Sequence, residues 1–140
     1  MKLQLVTVLG TKLDTEVYGI TLPTKAGEIS VYEGHEPLIT LAQPGVIAVR
    51  YKKQDSEKQL DYFATSGGVV EVNADSVKVL VDEAEHSDDI VEGETKAALD
   101  RALKLKQSAK NQVELEEASQ LVDRHAVRLK VAGLRRHRRN

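Results

Sequence analysis

The chain has 140 residues, a formal net charge of −2, 41% apolar residues and no cysteine or tryptophan. That length fits one domain with an appendage, and the missing cysteines exclude a disulfide framework and a thiolate metal site. No apolar run approaches the ~20 residues of a membrane span, and MKLQLVTVLG lacks the apolar stretch of a signal peptide, so a soluble chain with no direct membrane insertion is expected.

With four Tyr and one Phe, the core must be built from Val, Leu, Ile and Ala. Residues 2 to 82 read as short strands. KLQLVTV alternates polar and apolar residues. EVYGITL, EISVY, LITL, GVIAVRY, LDYFAT, GVVEV and SVKVLV are four to eight residues long and rich in β-branched side chains. Turn chemistry separates them at Pro23, Gly27, Gly34, Pro37, Pro44-Gly45, Ser66-Gly67-Gly68 and Asn73-Ala74-Asp75. Short strands at close spacing predict an all-β sandwich or barrel.

From about Ser87 the period becomes helical. Ser87 or Asp88 is the expected cap, with Gly93 weakening the first turn and Ala97, Ala98, Leu99, Ala102 and Leu103 following. Ser108 to Gln112 is polar and predicts a turn. A second helix fits Val113 to about Leu134, with Leu115, Ala118, Val122, Ala126, Leu129 and Ala132 stepping along one face. The Arg-rich end is expected to fray. The division expected is residues 1–86 as a β-sandwich and 87–140 as an antiparallel helical hairpin. Ala-rich stripes bury little area, so the hairpin should depend on the sandwich or a partner.

Charge follows the same division. Through Ile90 there are eight Lys/Arg against fifteen Asp/Glu; beyond it, twelve against seven. From Arg124 onward there are seven basic residues and no acid. Such a tail reads equally as a solvated helix face or as a dock for an acidic protein segment. Nucleic acid is not expected, because the rest of the chain is acidic and the tail has no stacking aromatics.

Chemistry-bearing patterns are few. His35, His86, His125 and His137 show no HxH or HExxH spacing. Glu33-Gly34-His35-Glu36 puts acids beside an imidazole, but a loop histidine bonded to backbone, or packed under Pro37, explains it as simply. No phosphate-cradling glycine loop follows a strand, and no nucleophile elbow surrounds Ser66. Neither catalysis nor a cofactor is expected.

The ordered set GEISVYEGHEPLITLAQPGVIAV, YFATSGGVVEV and SVKVLVDEAEHSDDI, followed by two helices, resembles the epsilon subunit of bacterial and chloroplast F-type ATP synthase over essentially the whole chain. Gly27, Glu28, Gly34, His35, Pro37, Leu38, Ile39, Thr40, Pro44, Gly45, Ser66, Gly67, Gly68, Glu71 and Val72 match its pattern. Glu33 and Glu36 depart from it, standing where the family more often has Pro and Ala.

The resemblance implies a ten-stranded sandwich in two sheets at the foot of the central stalk, on the cytoplasmic face of the bacterial inner membrane. It would be a non-catalytic rotor subunit for proton-driven ATP synthesis. Its sandwich would bind the gamma subunit and touch the polar loops of the c-ring, with Glu28, Gly34, His35 and Pro37 in the contact loop. The hairpin would be a mobile inhibitor of ATP hydrolysis. Arg124, Arg128, Lys130, Arg135 and Arg136 would meet an acidic segment of a beta subunit. Some family members bind ATP through Ile/Leu-Asp-x-x-Arg-Ala at the second helix. Here the stretch runs Val113-Glu114-Leu115-Glu116-Glu117-Ala118, with Glu117 in place of the arginine, so weak or no ATP binding is expected. Two other readings stand beside this one: a free-standing sandwich adaptor binding an acidic protein through its tail, and a metalloenzyme if His35 meets a second histidine in space.

Overall fold

The structure, a computed structural model, describes residues 1–139, with side chains described through Leu134. Ten strands come first: β1 Lys2–Thr7, β2 Gly10–Glu16, β3 Gly19–Thr24, β4 Gly27–Tyr32, β5 Leu38–Ala42, β6 Gly45–Arg50, β7 Asp61–Thr65, β8 Gly68–Val72, β9 Ser76–Val81 and β10 Ala84–His86. Two helices follow, α1 Glu92–Gln107 and α2 Gln112–Arg139. The expected ten-stranded sandwich and C-terminal helical pair are both present.

Hydrogen bonding links the strands in the order β10-β7-β6-β3-β5-β8-β9-β1-β2, with β4 on the free side of β3. Two layers follow from this order. One is β4-β3-β6-β7-β10; the other is β5-β8-β9-β1-β2. They meet at a single residue pair, Thr24 with Ala42. Every pairing is antiparallel except β1 with β9, where Lys2 to Val6 run alongside Ser76 to Leu80.

Both layers contribute to one core. Leu3, Leu5, Val70, Val72, Val77 and Val79 from one layer and Ile20, Leu22, Val31, Ile47, Val49 and Phe63 from the other belong to the same buried cluster. The period-two pattern of β1, β8 and β9 produces this, since every second side chain of a strand points to the same face.

β6 and β7 are covered on both faces. Ile47, Val49 and Phe63 point into the sandwich. Their neighbours Val46, Ala48, Tyr62 and Ala64 join a second cluster with Leu60, Ile90, Val127, Val131, Ala132 and Leu134. α2 therefore rests on the outside of the β6–β7 layer and does not enter the sandwich core, while α1 packs on α2.

Several local expectations are corrected. The sequence pattern shows eight runs, and β2 and β10 lie outside them. All of β2 is exposed except the half-buried Leu13, and β10 has only three residues. Pro23 does not end a strand; it lies inside β3 opposite Glu28. On its other side β3 has left β6 after Thr21 and has not yet reached β5 at Thr24, so no ladder bond from residue 23 is missed. Ser87–Asp89 forms a separate 3-10 turn, and α1 starts at Glu92 with Val91 as its cap residue and no side-chain cap bond. The second helix does not end near Leu134 but continues to Arg139.

The α2 face is also rotated from the expected one. Ala118 and Ala132 are buried as expected, but Ala126 is exposed. Val127 and Val131 instead join the sandwich-facing cluster. α2 packs against both α1 and β7, so one narrow stripe cannot describe it.

Candidate functional site

The loop from Glu33 to Pro37 connects β4 to β5. Gly34 has φ +87°, a left-handed value that glycine adopts without strain. Its N–H donates to the Ala74 carbonyl at 2.6 Å, tying the loop to the β8–β9 turn. The His35 N–H donates to Tyr32 O at 3.2 Å, and its Nδ1 lies 2.7 Å from Glu36 O. His35 is thus held by backbone, half-buried, with Glu36 and Pro37 exposed beside it. The rings of Tyr18 and Tyr32 lie 5.4 Å apart, tilted by 53°, with Tyr32 directly before this loop.

Glu28 does not join this group. It sits near the start of β4, roughly 15–20 Å from the His35 loop at ~3.3 Å per residue along the strand. Its neighbours are instead Arg50, Glu57 and Lys130, which share a cleft of about 250 Å³ with it beside α2. Gly34, His35 and Pro37 form one surface and Glu28 another.

The stretch from Glu114 to Ala118 has a local structural use. Asn111 Oδ1 accepts the Glu114 N–H at 2.9 Å, and Glu114 Oε2 accepts the Lys110 N–H at 2.8 Å. The first bond satisfies a donor in the opening turn of α2 that has no partner within the helix, and the second ties the preceding residue to that turn. Ala118 is buried, and Glu117 is exposed on the wall of a cleft of about 440 Å³ between the ends of the two helices.

The basic helix is the most structured candidate. Arg128 makes a fork with Glu85: Nε donates to Oε2 at 2.7 Å and Nη2 to Oε1 at 3.1 Å. Both side chains are partly buried, 21% and 33% exposed, so water screens them incompletely. The Glu85 bond raises the Arg128 pKa further, against a smaller effect of burial. The third nitrogen, Nη1, lies 3.2 Å from His125 Nδ1. One turn earlier, Arg124 Nη2 meets Glu83 Oε1 at 3.0 Å, with both partners about half exposed. Lys130 is exposed in the cleft with Glu28. The expected contacts at Arg135 and Arg136 lie outside the described side chains.

Charge counting found the arginines but not their partners here, Glu83 and Glu85, which lie about 40 residues earlier in the chain. The sequence also gave no notice of a second junction beside them. His86 Nε2 lies 3.0 Å from Asp61 Oδ1, the Tyr51 hydroxyl donates to Asp61 Oδ2 at 2.7 Å, and His86 Nδ1 accepts the Asp88 N–H at 3.0 Å. His35 and His86 do not meet. Among the described residues no group of three or more His, Cys, Asp or Glu is placed to hold a metal ion.

The face opposite the helices carries an apolar row. Leu41 pairs with Val69, Val69 with Leu80, and Leu80 with Val6, across β5, β8, β9 and β1. These side chains alternate with the core residues and point outward; Leu41 is 58% and Leu80 43% exposed. Ile39, 75% exposed, stands beside Leu41 in the next row, where Glu71 faces Lys78.

Residues 1–87 match the family described as ATP synthase, Delta/Epsilon chain, beta-sandwich domain. The chain belongs to the ATP synthase epsilon family. Beyond the sandwich, it is 33% identical over 138 residues to the ATP synthase epsilon chain of Herpetosiphon aurantiacus, covering 99% of this chain and 98% of that one. In the cryo-EM structure of the Euglena gracilis mitochondrial ATP synthase, OSCP/F1/c-ring, one chain superimposes with a TM-score of 0.79 at 26% identity, covering 93% of this chain and 79% of that one. A chain of the Tetrahymena thermophila mitochondrial ATP synthase central stalk/c-ring superimposes with a TM-score of 0.58 at 17% identity, covering 93% and 94%, and shares the fold. Family membership covers both the strands and the helices, which disfavours a free-standing adaptor. No helix among the described residues is long and apolar enough to cross a membrane.

Proposed function

We propose that this epsilon-family chain is a non-catalytic rotor subunit of the central stalk. It sits peripherally on the cytoplasmic face of the bacterial inner membrane and couples the gamma subunit to the c-ring. Residues 1–86 form the coupling body and residues 87–140 the movable brake. The observation that carries this reading is the placement of the two surfaces: an exposed apolar row on one face of the sandwich and an externally mounted, ion-paired helical hairpin on the other.

The row of Leu41, Val69, Leu80 and Val6, with Ile39, is a dock suited to gamma. Apolar side chains on a stiff β-layer give a rigid, dry contact. The loop at Gly34, His35 and Pro37 touches the polar loops of the c-ring, with Glu33 and Glu36 adding negative charge. Glu28 lies too far along β4 to share that contact and stays beside α2.

In the state described here Arg124 and Arg128 bind Glu83 and Glu85. In the inhibitory state the same arginines, with Lys130, Arg135 and Arg136, meet an acidic segment of the beta subunit. The two partners compete for one set of charges, so leaving the sandwich does not strand the arginines unpaired. ATP is not a strong ligand of the helical pair, because Glu117 places a negative charge on the wall of the cleft. Calorimetric titration showing micromolar ATP binding would overturn that point.

The deciding experiment has two arms. Tagged full-length chain should capture purified gamma subunit, and a chain with Leu41→Ser and Leu80→Ser should capture it far less. The assembled enzyme should hydrolyse ATP faster when residues after Asp89 are removed. Failure to capture gamma would remove the rotor role; unchanged hydrolysis would remove the brake.

A further inference from the structure

We propose that Ser87 is a release element at the foot of the helical pair: docking of α2 shuts its hydroxyl away from water without a partner, and undocking returns it to water. Ser87 is fully buried, and among the described residues its Oγ is the one buried side-chain nitrogen or oxygen without a hydrogen bond. The other buried polar residues are Thr7, Thr65 and Thr95. Their hydroxyls donate to Gly10 O at 3.2 Å, Glu83 O at 3.0 Å and Val91 O at 2.9 Å. The backbone of Ser87 is occupied, since its carbonyl accepts the Ile90 N–H at 3.4 Å. The side-chain oxygen alone is left over.

The register of β10 shows what closes over it. Glu85 lies opposite Ala64, and His86 opposite Phe63. Ala64 belongs to the cluster under α2, and Phe63 to the sandwich core. Glu85 accordingly reaches Arg128 of α2, while the His86 ring meets Phe63 edge-on. His86 keeps an extended backbone, φ −66° and ψ 145°, so the alternation carries one residue further. Ser87 therefore turns to the side of Glu85, which is the side that α2 covers. The 3-10 turn that starts at Ser87 touches both α2 and β7. Ile90, just past that turn, is buried in one cluster with Val131 and Ala132 of α2.

The direction of the effect follows from this placement. A hydroxyl in water is hydrogen-bonded; buried without a partner, it has lost those bonds and gained none. That cost falls on the docked state. With α2 gone the outer side of the turn is open, and the hydroxyl is solvated again. Ser87 thus opposes the apolar contacts of the seam and the fork between Arg128 and Glu85. It does so where the chain leaves its last strand for the helices, the point about which the pair would swing. The bias itself is a property of the chain alone. Only its physiological consequence rests on the rotor reading, in which Ser87 keeps the brake free to leave the sandwich.

The native chain contains no cysteine, so Ala64→Cys places a single thiol under α2, reached when the helix leaves. Its labelling rate, divided by that of an exposed Lys53→Cys chain, reads the opening equilibrium even when opening is rare. Adding Ser87→Ala, which removes the oxygen and little else, should lower this ratio roughly five- to hundredfold. Ala132→Cys, on the helix side of the seam, should report the same fall. Thr95→Val removes a hydroxyl that has a partner and leaves Val91 O bonded to the residue 95 N–H, so it should keep the ratio or raise it. A ratio unchanged or raised by Ser87→Ala, or a fall of equal size with Thr95→Val, would overturn the release element. Circular dichroism confirms that each variant keeps its strands and helices. In the assembled enzyme Ser87→Ala should speed ATP hydrolysis, because a helical pair held on the sandwich inhibits less. A lowered labelling ratio with unchanged hydrolysis would uphold the release element and count against the brake.

Discussion

Most of the buried apolar side chains fall in two places, and these differ in kind. The sandwich core takes 17 buried residues from two layers, several of them fully excluded from water. Among the described residues the seam under α2 takes six, two of which are alanines, and supplements them with ion pairs at its edge. A full Leu or Val contributes about 1.5–3 kcal/mol on burial and an alanine much less. One molecule thus combines a large apolar body with a smaller attachment that leans on ion pairs.

Four changes break or sharpen this contrast, given from the largest expected effect. Leu5→Ala, in the centre of the sandwich, should cost about 2–5 kcal/mol in denaturant unfolding of the whole chain; a cost under 1 kcal/mol would mean that the core is not where the stability lies. Ala132→Glu should drive a charge into the seam and detach α2 while the strands stay folded. That chain should bind a dye specific for exposed apolar surface, because Val46, Ala48, Tyr62 and Ala64 become uncovered. Simultaneous loss of strand signal would show the two clusters to be one cooperative unit.

The third change concerns the ion pairs. A double-mutant cycle on Arg128 and Glu85 should give a coupling of about 1–3 kcal/mol, as for partly buried charge-assisted bonds. The same cycle on the more exposed Arg124 and Glu83 should give under about 1 kcal/mol and vanish in 1 M salt. Equal couplings would argue that burial does not distinguish them. Smallest of all, Val69→Ser on the outer face should move the unfolding midpoint by no more than about 0.5 kcal/mol. Its effect should appear only in gamma capture.

Legibility in the sequence follows the same contrast. β1, β8 and β9 were readable because one face of each is buried and the other wet, which leaves a period of two. β2 left no such trace, since an edge strand with one half-buried side chain has no face to mark. Pro23 carried a turn signal that the changeover between β6 and β5 makes harmless. The helical stripe was legible in period but not in phase, because α2 serves two neighbours at once.

The candidate surfaces were less legible still. His35 could be placed in a loop, but nothing local to Glu28 reveals that an intervening strand carries it away. The acidic–basic asymmetry was plain in the counts, yet its first use lies within the chain, at Glu83 and Glu85. Pairings between distant segments are set by the fold, and charge counting has no access to them.

The parallel pairing of β1 with β9 carries a consequence for synthesis. The first strand made cannot find that neighbour until Ser76 to Leu80 have left the ribosome. Until then β1 and the nearly unburied β2 hang as an unsupported hairpin, and a two-stranded hairpin alone is marginal in water. The layer opposite the helices therefore closes only once β9 has emerged, shortly before β10 completes the other layer, and its exposed row of Leu41, Val69 and Leu80 comes into being only at that moment.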